Sequence, residues 1–146
     1  MYFDPYWWID QCLLMIAQRY GYNRLNYDRN SRRWFMIYDF PLSEWWIQPS
    51  TALFITLPPL GNIHTYPPDG IYVEQGLRTI NGLIPDHYIE VGDFNDLEDQ
   101  GWARLSIHIK SWRPSPDVVS GIHLLDVVYL VHHELDKWAK QAEGVY

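Results

Sequence analysis

The sequence lacks several features that would narrow its function at once. It holds a single cysteine, Cys12, so no internal disulfide can form and no cluster of thiolates is available for a metal ion. It has no uninterrupted apolar run of about eighteen residues. Its start carries no basic flank followed by an apolar run and a small-residue cleavage site. We therefore expect a cytoplasmic protein that neither crosses nor inserts into a membrane.

Basic residues are also scarce. Eleven Lys and Arg stand against 18 Asp and Glu, which gives a net charge of −7. A chain of this charge repels phosphate backbones, so nucleic-acid binding is not expected as its main role. No glycine-rich phosphate loop and no Gly-x-Ser-x-Gly elbow occurs. His132 and His133 are adjacent, but neither has a second histidine four residues away, so we expect no metal site and no cofactor.

What the sequence does have is apolar and aromatic character, with 47% hydrophobic residues, eight Trp and 11 Tyr. A chain of 146 residues is long enough to bury about two-thirds of its unfolded surface in one core. No internal repeat or low-complexity linker divides it. We expect one domain over residues 1–146.

The start of the chain reads as a helix. Asp4 supplies a cap, Pro5 suits the first turn and Gly21 suits the end. Apolar residues recur between them at steps of three and four and predict a single buried face, formed by Ile9, Cys12, Leu13, Ile16 and Tyr20. Cys12 is interpreted as a small buried residue. Trp7 and Trp8 are proposed as a partner surface, provided that they are exposed.

The middle of the chain changes to a strand pattern. Residues 33–39, 51–57 and 71–73 are rich in aromatic and branched side chains, and residues 45–47 offer a further short strand. Paired prolines make residues 57–68 an irregular corner. Residues 76–101 have little pattern, and the acidic run over 93–99 is interpreted as a solvated loop.

A last helix is predicted to begin at Ser115, Pro116 and Asp117, a cap followed by a proline in the first turn. Its buried stripe is formed by Leu124, Val127, Val128, Val131, Leu135 and Trp138. The expected fold is therefore α+β. It has an N-terminal helix, an antiparallel meander of about four strands, a proline-rich corner and a long C-terminal helix.

Residues 101–117 carry a resemblance to a known family. Gly101, Leu105 and Trp112 stand where ubiquitin-conjugating enzymes have the glycine before, the leucine after and the Trp-x-Pro beyond their catalytic cysteine. Pro114 completes the Trp-x-Pro. Residues 66–68, Tyr-Pro-Pro, are similar to the proline-rich turn of the same family, and the order of elements over residues 7–138 is also similar.

The resemblance implies a ubiquitin-conjugating fold without the two further C-terminal helices, closest in kind to divergent prokaryotic members. It implies a ubiquitin-like protein and an activating-enzyme-like protein as partners, with Arg104, Trp112 and Pro114 at the contact surface. The position of the cysteine is occupied by Arg104. The family's His-Pro-Asn motif has its nearest counterpart at His87, displaced and without the asparagine.

Three functions follow as alternatives. A guanidinium cannot form a thioester, so Arg104 favours a pseudoenzyme that binds the modifier or its activating enzyme, with Arg104 contacting a carboxylate. Alternatively, Ser106 forms an oxygen ester with the modifier. If Arg104, Ser106 and His108 share one face of a strand, His108 can take the proton of Ser106, with His87 completing the site. The third alternative is an unrelated α+β protein-interaction domain. Whether the chain is an enzyme is left open by the sequence.

Overall fold

The first helix is the one that the sequence predicts. A computed structural model describes residues 2–92 and 96–145, and in it α1 spans Pro5–Tyr20. The Asp4 side chain accepts a hydrogen bond from the Trp7 backbone N–H at 3.2 Å, and Gly21 ends the helix at a φ of 113°. The predicted helix is confirmed, and its whole predicted apolar face is buried.

Within the described residues, six strands form one antiparallel sheet. They are β1 (Leu25–Tyr27), β2 (Trp34–Pro41), β3 (Ser50–Thr56), β4 (Gly70–Glu74), β5 (Tyr88–Ile89) and β6 (Trp102–Leu105). Their spatial order is β1-β2-β3-β4-β6-β5. The α+β class is confirmed, and the sheet has six strands where about four were predicted. The predicted strand at residues 45–47 is reduced to one isolated bridge between Trp46 and Thr79.

Short turns complete the middle of the chain. Single 3-10 turns occupy Tyr22–Arg24 and Leu60–Asn62, the second within the predicted proline-rich corner. The acidic run predicted as a loop includes a four-residue helix, α2 (Asp96–Asp99), while its residues 93–95 lie outside the described residues.

The last helix begins later than predicted. α3 spans Leu124–Ala142, and its cap is His123, whose side chain accepts from the Asp126 backbone while Asp126 bonds back to the His123 N–H. Asp117 instead accepts a hydrogen bond from the Ser120 backbone N–H at 3.0 Å and closes a turn. Val118 is buried at a φ of 68°, which is incompatible with a right-handed helix. The predicted apolar stripe of α3 is fully buried. Among the described residues, no helix combines the length and apolar character needed to span a bilayer.

Both long helices pack at the core face of the sheet. His132 on α3 approaches the Tyr20 hydroxyl at 2.9 Å, and its ring stacks on Phe40 of β2 with a centroid distance of 3.9 Å. The Trp46 indole N–H donates to the Leu135 carbonyl at 3.2 Å. Cys12 lies within this core, where burial raises the pKa of its thiol to about 12. The thiol is therefore protonated at neutral pH and is not a nucleophile.

The partly buried His132 is expected to make stability pH-dependent. Burial, and then the charge of Arg19, lower its pKa below the ordinary value of 6.5. The unfolded chain therefore binds the proton more readily, so this contribution to folding stability is lost as pH falls below about 6.5. We expect urea unfolding between about pH 7.5 and 5.5 to show a steeper loss of stability for the parent chain than for His132→Phe, which cannot titrate.

The neighbouring histidine supplies the control for this experiment. His133 lies on the same helix and is exposed, so His133→Gln removes a histidine and leaves the packed ring of His132 in place. We expect His133→Gln to show the steeper loss of stability that His132→Phe lacks. Equal slopes for His132→Phe and the parent chain would contradict the assignment.

Candidate functional site at the end of strand β6

Arg104 lies on strand β6 with its side chain at the surface. Arg104 pairs with Tyr72 of β4 on one side and with Ile89 of β5 on the other, and its side chain is exposed while that of Leu105 is buried. The alternation follows from the two faces of a strand, because Leu105 takes the core face and Arg104 the opposite one. The residue at the position that the sequence resemblance gives to the catalytic cysteine is thus open to solvent.

The strand ends sooner than predicted. The Ser106 N–H donates to the His87 carbonyl at 2.9 Å, and the Ile107 N–H donates to the Leu105 carbonyl at 3.0 Å. The second bond joins residues two apart and closes a tight turn around Ser106. The prediction that one strand carries Arg104, Ser106 and His108 on a shared face is therefore wrong, since β6 stops at Leu105.

A surface groove nevertheless brings these three residues together. It has a volume of about 480 Å³. It is lined by the chain from Arg104 to Ile109, by Ile89 of the neighbouring strand β5, and by Pro67, Pro68 and Asp69 at the proline-rich corner. We call it the β6 groove. In the described ranges 2–92 and 96–145, no hydrogen bond joins the Ser106 hydroxyl to His108, so the proton-transfer pair is not formed in this conformation.

Arg104 is available to bind an anion, because the acidic residue of the β6 groove lies near another arginine. Asp69, the acidic residue among those that line the groove, lies 4.0 Å from Arg33, counted between a guanidinium nitrogen and a carboxylate oxygen. Among the residues that the structure describes, Arg104 makes no ion pair. An exposed and unpaired guanidinium presents donors in a planar fork that matches a carboxylate.

His87 is exposed and lies next to Ser106, outside the lining of the β6 groove. Its carbonyl receives the Ser106 N–H, but its ring faces Trp138 of α3 at a centroid distance of 5.3 Å. It does not line the groove. The structure therefore brings His87 near Ser106 through the main chain alone.

The two predicted tryptophans at the start of α1 have different positions. Trp8 is 0% exposed, whereas Trp7 is 47% exposed. Burial removes Trp8 from the proposed partner surface, because a side chain without exposed area cannot contact a partner, and leaves Trp7 available. The two residues alternate between core and solvent because they are about 100° apart around the helix.

Trp112 joins three separate segments. Its indole N–H donates to the Ile63 carbonyl of the proline-rich corner at 2.7 Å, and its ring meets Trp8 edge-on at 6.1 Å. Trp112 is half-buried, and so is Pro114. These contacts fix the chain after the β6 groove to α1 and to the corner, which gives Trp112 a positioning role.

Sequence reasoning missed the part of the groove that the proline-rich corner forms. The corner was predicted as irregular, but no signal in the sequence places Pro67, Pro68 and Asp69 near the chain after β6. Ile107 and Ile109 were also overlooked, although their alternation with His108 and Lys110 was a signal for an extended segment. Over residues 2–92 and 96–145, no cluster of three or more His, Cys, Asp or Glu side chains suits a metal ion.

Together these features define an α+β domain with one antiparallel sheet, a long helix near each end of the sequence and an open groove where β6 ends. In comparisons with known proteins, no family model matches the chain, and no curated protein or solved structure was found to match it.

Proposed function

We propose that the chain is a non-catalytic protein of the ubiquitin-conjugating type that binds a ubiquitin-like modifier. The β6 groove receives the C-terminal tail of the modifier, and Arg104 binds the terminal carboxylate. One observation carries the proposal: an unpaired, exposed arginine stands at the groove in the position that the sequence resemblance gives to the catalytic cysteine.

The chemistry of the groove agrees with binding without a thioester. The thiol of Cys12 is buried in the core and protonated, so it cannot act as an acyl carrier. Arg104 cannot form an acyl link, but it can make two parallel hydrogen bonds to a carboxylate. The exposed Trp7 offers a second contact, for an activating-enzyme-like partner.

The order of elements also supports the proposal. A helix, an antiparallel sheet, a proline-rich corner, an extended segment with Trp112 and a second long helix follow one another as in the ubiquitin-conjugating family. Trp112 contacts the corner and α1, and these contacts hold the Trp-x-Pro turn in place between β6 and α3. A turn in this position is consistent with the order of elements in the ubiquitin-conjugating family.

The proposal predicts a specific loss of binding in Arg104→Ala. Removing one partner of a charged hydrogen-bonded pair costs about 1.5 to 3 kcal/mol, which is a tenfold to roughly hundredfold weaker complex. The measurement is a calorimetric titration of the chain with ubiquitin-like proteins, each with an intact tail and with its last two residues removed. Arg24→Ala is the matched control, because Arg24 is exposed and distant from the groove in sequence.

Two results would reject the proposed role of the groove. One is equal affinity for the intact and the shortened tail. The other is an equal loss of affinity in Arg104→Ala and Arg24→Ala, which would indicate a general effect of charge.

Ester formation at Ser106 remains the second candidate, because Ser106 and His108 line the same groove as Arg104. In that reaction the Ser106 oxygen attacks the carbonyl carbon of a modifier thioester. An oxygen–carbon bond forms, the carbon–sulfur bond breaks, and the proton of Ser106 passes by way of His108 to the departing thiolate. The absence of a Ser106–His108 hydrogen bond among the described residues favours the binding function.

A further inference from the structure

We infer that residues 107–110 are an unpaired β-edge that binds an extended, carboxylate-bearing peptide chain through main-chain hydrogen bonds, and that the left-handed Ser111, with a φ of 56°, ends this edge. The inference rests on the proposed function and adds how the tail is held. Arg104 fixes its end, while the edge fixes its backbone.

The side chains of this segment alternate as in a strand. Ile107 and Ile109 are partly buried and pack against the core, whereas His108 and Lys110 are exposed. Such a period of two is the pattern of an extended chain with one face on the core. The segment follows β6 directly after the tight turn at Ser106 and lines the β6 groove through Ile109.

The main chain of the segment is left without partners. Within the described part of the chain, the N–H groups of residues 108–110 donate no hydrogen bond, and the carbonyls of residues 106–110 accept none. Pro67 and Pro68 also line the groove, and their nitrogens carry no hydrogen to donate to this segment. An added strand would use every second N–H and carbonyl of this edge.

The basic residues near this edge indicate which kind of peptide it binds. Residues 101–116 contain Arg104, Lys110 and Arg113 and no Asp or Glu, within a chain of net charge −7. A second copy of the same edge would bring these cations against one another, which disfavours self-association through it. A chain end or side chain that carries a carboxylate is complementary to them.

Hydrogen exchange measured by NMR tests the inference directly. The probe is a synthetic peptide, acetyl-Glu-Val-Thr-Val-Gly-Gly with a free C-terminal carboxylate, added to the full chain at about 1 mM so that a weak complex is populated. A generic probe is suitable because main-chain pairing depends little on side chains. We expect alternate amides among residues 108–110 to exchange at least about fivefold more slowly when the probe is bound.

Two modified probes separate this inference from the proposed function. A probe methylated on its backbone nitrogens should not protect the amides from exchange, because it cannot form the main-chain hydrogen bonds.

A probe with an amidated C-terminus tests Arg104 alone. Undiminished binding with intact protection of the amides would support the β-edge and reject the carboxylate role of Arg104. Carboxylate-dependent binding without protection of residues 108–110 would overturn the β-edge and keep the proposed function. Absence of binding by the unmodified probe would also overturn it.

Discussion

Trp8→Ala is expected to lower the free energy of unfolding by about 3 to 5 kcal/mol, the usual cost of truncating a large buried aromatic side chain. Trp8 is fully buried, and its ring contacts Trp112 edge-on and Phe3 at 5.8 Å. Its indole N–H finds no acceptor among the described residues, so the expected loss comes from packing. Chemical denaturation followed by circular dichroism measures the change.

The adjacent Trp7 provides a matched control. Trp7→Ala removes the same side chain from a site that is 47% exposed, and its effect should be about 1 kcal/mol or less. Trp8→Phe keeps a ring in the core without the unpaired N–H, and should cost less than Trp8→Ala. Similar losses in Trp7→Ala and Trp8→Ala would contradict the assigned orientation of α1.

Gly121→Ala is expected to destabilise the chain by about 1 to 3 kcal/mol, as overpacking does elsewhere. A Cβ on Gly121 would lie 2.7 Å from the Ser115 nitrogen and would also collide with the Arg113 carbonyl. Both are main-chain atoms, so the loop that carries the Trp-x-Pro turn has to move. The Ile122 N–H bond to the Arg113 carbonyl, 3.2 Å long, would be disturbed by the same shift.

Gly61→Ala is the control for that substitution. A Cβ there meets no atom within 4 Å, and the residue lies in the 3-10 turn of the proline-rich corner. Thermal unfolding should show a clear decrease for Gly121→Ala and little change for Gly61→Ala. If Gly121→Ala unfolds at the temperature of the parent chain, the close packing of the loop against Gly121 is wrong.

Local signals in the sequence were enough to predict α1, the buried stripe of α3 and the strands β2 and β3. The cap at Asp4 and the three-and-four spacing determine α1, because both depend only on neighbouring residues. The same holds for the stripe of α3 and for the branched and aromatic runs of β2 and β3.

Errors arose where a competing local turn or pairing with a distant strand overrides the predicted element. Residues 115–117 carry good start signals for a helix, but the turn closed by Asp117 and the positive φ of Val118 delay α3 to Leu124. The short strands β1 and β5 have two or three residues each and form only because a neighbour pairs with them. Periodicity cannot reveal elements of that length.

The candidate site was predictable in part. The positions of Arg104, Ser106 and His108 in one segment were read from the sequence, and the structure places all three on the β6 groove. The position of His87 outside the groove was not predicted, because its ring packs on Trp138, which is distant in sequence. The place of the proline-rich corner at the groove was also beyond prediction, since it involves contacts between residues far apart in sequence, such as the hydrogen bond from Trp112 to Ile63.

The most direct test of a non-catalytic binding function is intact-protein mass spectrometry after the chain is mixed with a ubiquitin-like modifier, its activating enzyme and ATP. The proposed function predicts an unchanged mass under denaturing conditions, together with a non-covalent complex under native conditions that Arg104→Ala weakens. A mass increase equal to one modifier, sensitive to hydroxylamine and absent from Ser106→Ala, would contradict it and establish ester formation at Ser106.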